Sequence, residues 1–191
     1  MQEDTPRIAR NIGAGLKRWR LVNRVKQSAL AADFGVAQTT VSRWESGLLV
    51  PTGEDALRIE RLLSARPNSA ADAALMALVT HAAVPMHLVC DLTHRLLAAS
   101  QGRTAEWRLG MEDLQGKSLW RYATPGIRRG EALLERQGWF ETVSPEITVI
   151  SEAANRPEVA IRAGEIRWTR MPLSDGTFAR LVTDGVRSAH A

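Results

Sequence analysis

Apolar residues recur at helical spacing through the first part of this chain and at strand spacing through the rest. The change falls beyond a breaker cluster, Ala65-Arg66-Pro67-Asn68-Ser69. Ile8, Ile12, Leu16 and Trp19 return every three or four residues, which predicts a helix over about 7–23 interrupted by Gly13 and Gly15. A second helix is predicted from Gln27 to Phe34, with Leu30, Ala31 and Phe34 inward and Gly35 at its end, where a positive φ costs glycine little. A third starts near Gln38, with Val41 and Trp44 as its inward pair, and stops at Gly47. Thr52 is the expected N-cap of a fourth, with Asp55 as a capping-box-like partner and Leu57, Ile59, Leu62 and Leu63 on the apolar side. An alanine-rich helix is expected from Ser69 to about Ala82. It could join two domains, cover a sheet or pair with its copy in a dimer.

From Pro85 the period changes. Met86–Asp91 and His94–Ser100 read as two strands around a Leu92-Thr93 turn. A mixed stretch carries Trp107, Trp120 and several glycines, and a helix is predicted around Arg128–Gln137. Glu146–Glu152, Ala163–Leu173 and Thr177–Asp184 close the chain as strands, with Asp175-Gly176 as the last hairpin turn. Glu165, Arg167 and Thr169 alternate with Ile166 and Trp168, as in a sheet packed on one face. The predicted organisation is a helical domain over 1–66, a linker helix over 67–84 and an α+β domain over 85–191.

Composition narrows the function classes. An apolar fraction of 45% with 24% charged residues is ordinary for globular sequence, and no apolar run approaches the ~20 residues of a membrane span. Met1-Gln2-Glu3-Asp4 is acidic and lacks an apolar signal region, so the expectation is a cytoplasmic protein without membrane association. The single cysteine, Cys90, excludes an internal disulfide and a multi-thiolate zinc site, and reads as a small core residue. Residues 1–66 hold 11 basic and 7 acidic side chains, whereas 67–191 hold 14 of each. Arg7, Arg10, Lys17, Arg18, Arg20, Arg24 and Lys26 follow one another without an intervening acid. Such a run is either a solvated helix face or the footprint of a polyanion partner, and its place beside two short helices joined by a tight turn favours DNA.

Residues Gln27, Leu30-Ala31, Gly35-Val36, Val41-Ser42, Glu45-Ser46-Gly47, Pro51, Leu57 and Leu62 stand at the spacing of the lambda-repressor-like (Cro-type, XRE) helix-turn-helix family, which residues 8–64 resemble. The resemblance implies that Gln27 donates to a DNA phosphate and that Gln38 opens the recognition helix and reads adenine. It makes Thr39, Thr40, Ser42 and Arg43 the other outward positions, and Arg20 and Glu45 an internal salt bridge. The side-chain chemistry agrees: a glutamine amide matches adenine N7 and N6, arginine matches guanine O6 and N7, and a threonine methyl can meet a thymine methyl. Arg18 and Lys26 are the candidate phosphate contacts. Trp44 reads as core, and Glu45 as structural, since a carboxylate facing phosphate would repel it.

Leu88-Val89-Cys90-Asp91, then Leu96-Leu97-Ala98-Ala99-Ser100, then Gly110–Ser118 occur in the order of a PAS sensor domain, which residues 85–185 resemble. That implies a five-stranded antiparallel sheet with flanking helices. Haem PAS domains use a histidine on the central helical region, but none lies between Gln101 and Phe140. Flavin photosensors carry a reactive cysteine in an Asn-Cys-Arg context that Cys90 lacks, so no cofactor is expected. His81, His87 and His94 would gather a metal only if the hairpin and the preceding helix converged, and no metal is expected. Trp107, Trp120, Tyr122 and Trp168 are candidates to line a pocket for a small apolar or aromatic effector, or else to fill the core. No nucleophile elbow, phosphate-binding loop or metalloprotease motif occurs, and Glu131 and Glu135 read as a solvated helix face, so no enzyme is expected. The function expected is a dimeric transcription regulator, a repressor on an inverted repeat. A protein-interaction adaptor, in which the PAS-like domain docks another regulator, is the alternative.

Overall fold

The computed structural model describes residues 12–13, 15–17, 19–21, 23–141 and 143–185. Arg18, like Arg7, Ile8 and Arg10, lies outside them. The chain divides into two compact units, Met1–Arg66 with Asp175–Thr177 and Pro67–Ser174 with Phe178–Ala191.

The first unit is helical. Residues 12–13, 15–17 and 19–21 belong to α1, followed by α2 (Gln27–Phe34), α3 (Gln38–Glu45) and α4 (Gly53–Leu63). Ile12, Leu16, Leu30, Phe34, Val41, Trp44, Ile59 and Leu63 make its buried core. The Trp44 ring meets Phe34 edge-on, with centroids 5.9 Å apart. Gly13 is a contact point rather than a weakness: a Cβ there would lie 2.0 Å from the Trp44 carbonyl oxygen, so only glycine lets α1 come this close to α3. Two expectations for α4 fail. Thr52 occupies the N-cap position, but its side chain caps nothing. Leu57 is 59% exposed, because the buried stripe runs through Ile59 and Leu63, one turn apart, and Leu57 falls on the opposite side.

The second unit opens with α5 (Ala70–Thr80), which lies against β2 and β1. Ser69 caps it in a reciprocal box with Asp72, whose buried carboxylate also takes the Ser174 N–H and hydroxyl. The Ser174 bonds, outweighing burial, hold Asp72 well below the usual carboxylate range. The sheet contains β1 (Met86–Cys90), β2 (Leu96–Ala99), β3 (Ile147–Ser151), β6 (Gly164–Pro172) and β7 (Phe178–Asp184). Its order is β2-β1-β7-β6-β3, with every pairing antiparallel. Helices α6 (Gln101–Thr104), α7 (Met111–Leu114) and α8 (Pro125–Leu133), with a 3-10 turn at Leu119–Tyr122, fall between β2 and β3. Renumbered along this sheet alone the order is 2-1-5-4-3 with the helices in the β2–β3 connection, a PAS-like fold. A two-stranded ribbon, β4 (Ala154–Asn155) with β5 (Ala160–Ile161), is an addition the pattern did not predict, since two-residue strands show no period.

Helix α8 starts three residues earlier than predicted. Thr124 caps it through the Ile127 N–H, and Pro125 takes the first turn, where its missing N–H is harmless. Gly126 and Gly130, one turn apart, form the face that α8 lays on β3: a Cβ on Gly126 would stand 2.0 Å from the Ile150 carbonyl oxygen, and one on Gly130 would stand 2.6 Å from Val149. Gly126→Ala should therefore destabilise the second unit by about 1–3 kcal/mol. Gly102→Ala, whose Cβ would meet only Pro85 at 3.5 Å, should leave stability nearly unchanged. Urea unfolding of the full chain, followed by tryptophan fluorescence, separates the two.

Candidate functional site

Two sites are built, one in each unit. In the first, Gly35 (φ 68°) ends α2 in the left-handed conformation, and its N–H and that of Val36 close onto Ala32 and Ala31. Three residues later α3 begins. Glu45, near its end, is buried, and Arg20 of α1 grips it with both Nε (2.6 Å) and a terminal nitrogen (2.8 Å). The implied Arg20–Glu45 bridge is thus present. Gln27 Nε2 donates to Glu45 at 2.8 Å as well. A glutamine amide has two N–H groups, so this bond orients Gln27 and leaves the second available to a phosphate. Burial pushes the Glu45 carboxyl up, but the bonds from Arg20 and Gln27 and the charges of Arg20 and Lys17 outweigh it and bring the carboxyl below its ordinary value.

The clamp fixes the face that α3 turns outward. Gln38, Thr39, Ser42 and Arg43 are exposed, and Thr40 is half-buried between Val41 and the surface. Lys26, the N-cap residue of α2, is exposed too. Of the DNA-contact candidates named from sequence, all but Arg18 are described, and they gather at the N-terminus of α2 and along α3.

The second site is a cavity of about 110 Å³ on the inner face of the sheet. Trp107, Trp120, Tyr122 and Trp168, far apart in sequence, all line it. The helical segments contribute Leu119 and Ile127, and the strands contribute Val89, Ile161, Ile166 and Val182. The sequence reading missed its polar wall: His87, His94, Arg103 and Arg180. The His87 ring meets Trp107 edge-on at 5.5 Å, and burial, then the nearby Arg103 charge, pushes its pKa down to about 3. His94, in a left-handed backbone conformation (φ 55°), packs its ring on Trp120 at 4.7 Å. His87 Nδ1, His94 Nε2 and Arg103 Nε are buried without a hydrogen-bond partner among the described residues.

Every charge beside the cavity is matched. Arg103 holds Glu106 (2.9 Å) and Asp184 (2.5 Å). Arg180, 2% exposed, lies between the Trp139 and Trp168 rings, binds Asp91 through Nε and a terminal nitrogen (2.9 and 2.7 Å), and binds Glu131 at 2.6 Å. Arg170 Nε (3.0 Å) and Trp139 Nε1 (3.0 Å) complete the shell of Asp91. Glu131 is therefore not part of a solvated face; only Glu135 is exposed there. Burial raises the Glu131 carboxyl, but Arg180 and His94 overcome it and hold it far below the usual range. His94 Nε2 stands 3.4 Å from Glu131 without an aligned hydrogen bond. The missed signal was Arg180 itself, a lone charge at an inward strand position next to Ala179 and Leu181. An arginine there requires buried carboxylates.

Residues 16–67 match the helix-turn-helix family. Among solved structures, the chain is similar to the PAS domain of an HTR-like protein from Haloarcula marismortui, at 16% identity over 60% of this chain and 90% of that one (TM-score 0.39). It is also similar to the PAS domain of Bordetella pertussis BvgS, at 12% identity over 61% and 87% (TM-score 0.34). An RNA-binding light-oxygen-voltage receptor is 9% identical, over 94% of this chain and 59% of that one (TM-score 0.42). A search of the curated proteins finds no match. Among the described residues no helix is long and apolar enough to cross a membrane. Residues 16–67 of the first unit are thus similar to an XRE-type helix-turn-helix.

Removing the clamp should cost the first unit its stability. Glu45→Ala leaves the half-buried Arg20 without its counter-charge, an expected loss of about 2 kcal/mol. The folded state holds Glu45 below its ordinary 4.5, so its contribution is complete above that value and fades as pH falls through the lower folded-state value. Unfolding of this unit should accordingly be flat in pH from 7 to ~5 and weaken below. Part of that weakening should be missing in Glu45→Gln. Urea midpoints across pH measure both.

Proposed function

We propose that this chain is a sequence-specific DNA-binding transcription regulator, a dimeric repressor. The helix-turn-helix reads an inverted repeat, and the PAS-like domain pairs the copies and senses a small molecule. The observation that carries the reading is the outward face of α3: Gln38, Thr39, Ser42 and Arg43 are exposed on a helix whose other face is locked by Trp44 and Glu45. Those four groups carry the donors and acceptors that base edges in the major groove present. The basic run before α2 supplies the phosphate attraction. An eight-residue recognition helix spans few base pairs, so specificity calls for two copies on half-sites about one helical turn, ~34 Å, apart.

The roles of the individual residues separate by what each contact carries. Gln38 is assigned to a base edge, Arg43 to a guanine or a phosphate, and Gln27, Arg18 and Lys26 to phosphates. A small molecule held in the cavity of the second domain alters DNA affinity only as far as it favours one dimer geometry over another. The reading places the protein in the cytoplasm, where its DNA is.

Gln38→Ala should lose about 1–3 kcal/mol on the preferred duplex and relax the preference at one base pair per half-site. Lys26→Ala should weaken all duplexes alike and lower the slope of log K against log salt by about 1. Fluorescence anisotropy with labelled duplexes over a salt series distinguishes them. A Gln38→Ala protein with unchanged affinity and base preference would remove the role given to that residue.

A further inference from the structure

The cavity's chemistry is more specific than its apolar walls. Its volume, about 110 Å³, is somewhat below the ~150 Å³ of apolar space that accommodates benzene, so it has room for about one ring after slight relaxation. Trp107, Trp120 and Trp168 offer flat surfaces for such a ring. Two further constraints come from the polar wall. First, the arginines there are already engaged, Arg103 by Glu106 and Asp184 and Arg180 by Asp91 and Glu131, so an incoming anion finds no unmatched cation. An incoming cation finds the same carboxylates already bonded. Burying either charge without a partner is strongly unfavourable. Second, the wall keeps buried polar atoms that nothing among the described residues satisfies, Arg103 Nε and His87 Nδ1 among them.

Those two atoms differ in what they ask for. Arg103 Nε only donates. His87 is neutral at ordinary pH, because burial and Arg103 hold its pKa near 3, and the Nδ1 of a neutral imidazole accepts or donates according to tautomer. A hydroxyl accepts and donates at once and can answer both. A carbonyl answers only donors, and a methyl group answers neither.

Resting on the reading of this cavity as a ligand site, we infer that it takes an uncharged one-ring aromatic molecule with a hydroxyl group, a phenol. The ring packs among Trp107, Trp120 and Trp168, and the hydroxyl meets His87 and Arg103. His87 is the residue that separates a phenol from a plain hydrocarbon of the same size.

The test is isothermal titration calorimetry of the full-length protein at neutral pH with three probes of nearly equal size: phenol, toluene and benzoate. Phenol is expected to bind one per chain, at least tenfold more tightly than toluene, with benzoate not binding. In His87→Leu the preference of phenol over toluene should fall to about threefold or less, with toluene still bound and the melting temperature showing an intact fold. Toluene matching phenol in the wild type would overturn the inference, since the bare polar atoms would then go unread. Benzoate matching phenol would overturn it by showing an anion site, and an unchanged preference in His87→Leu would remove His87 from the selection. In each of those cases the cavity remains a ligand site. Binding of none of the three by folded protein would overturn the ligand-site reading itself.

Discussion

Arg170 and Arg180 stand directly opposite each other on neighbouring strands, a pairing of like charges that would by itself push the sheet apart. The Asp91 carboxylate between them makes it stable, with one oxygen toward each arginine and Trp139 donating to both. The rest of the second domain follows from this arrangement. Arg180 also reaches Glu131, so α8 is tied to the strand that carries the network as well as packed on β3 through Gly126 and Gly130. Trp139, fully buried, brings the segment after α8 onto the same carboxylate. Because two arginines are matched by two acids, the network adds no net charge to the cavity beside it. That neutrality makes the cavity an apolar space with a polar edge.

The first domain solves a related problem on a smaller scale. Glu45 is a buried carboxylate on the very helix assigned to a polyanion, and it is tolerable there because Arg20 covers both of its oxygens. The pair joins α1 to α3, and Gln27 adds the start of α2. Three helices thus meet at one carboxylate, while every group suited to base reading stays on the other side of α3. Stability and readout are assigned to opposite faces of one eight-residue helix.

Much of this was legible in the chain because each feature had a local cause. Gly35 needs its positive φ, Val41 and Trp44 are a helical turn apart, and the strands after Pro85 alternate, so the helix-turn-helix and the sheet could be predicted from neighbours in sequence. Trp107, Trp120, Tyr122 and Trp168 reach one cavity, although nothing local in the sequence brings them together. What stayed hidden depends on partners remote in the chain. Glu131 looked solvated because its partner lies 49 residues away on β7. The start of α8 at Pro125 was missed because the strand that Gly126 touches comes later in the chain. Leu57 passed for core because a period alone does not say which of two adjacent stripes faces inward.

The central claim is that the exposed face of α3 reads a defined DNA sequence. The most direct measurement is selection from a random-sequence duplex library by the purified full-length protein at physiological salt, with a Gln38→Ala/Arg43→Ala protein in parallel. The account predicts that the wild type enriches one twofold-symmetric motif with half-sites about a helical turn apart, and that the double variant enriches none. A library without an enriched motif, or the same motif recovered by both proteins, would contradict it.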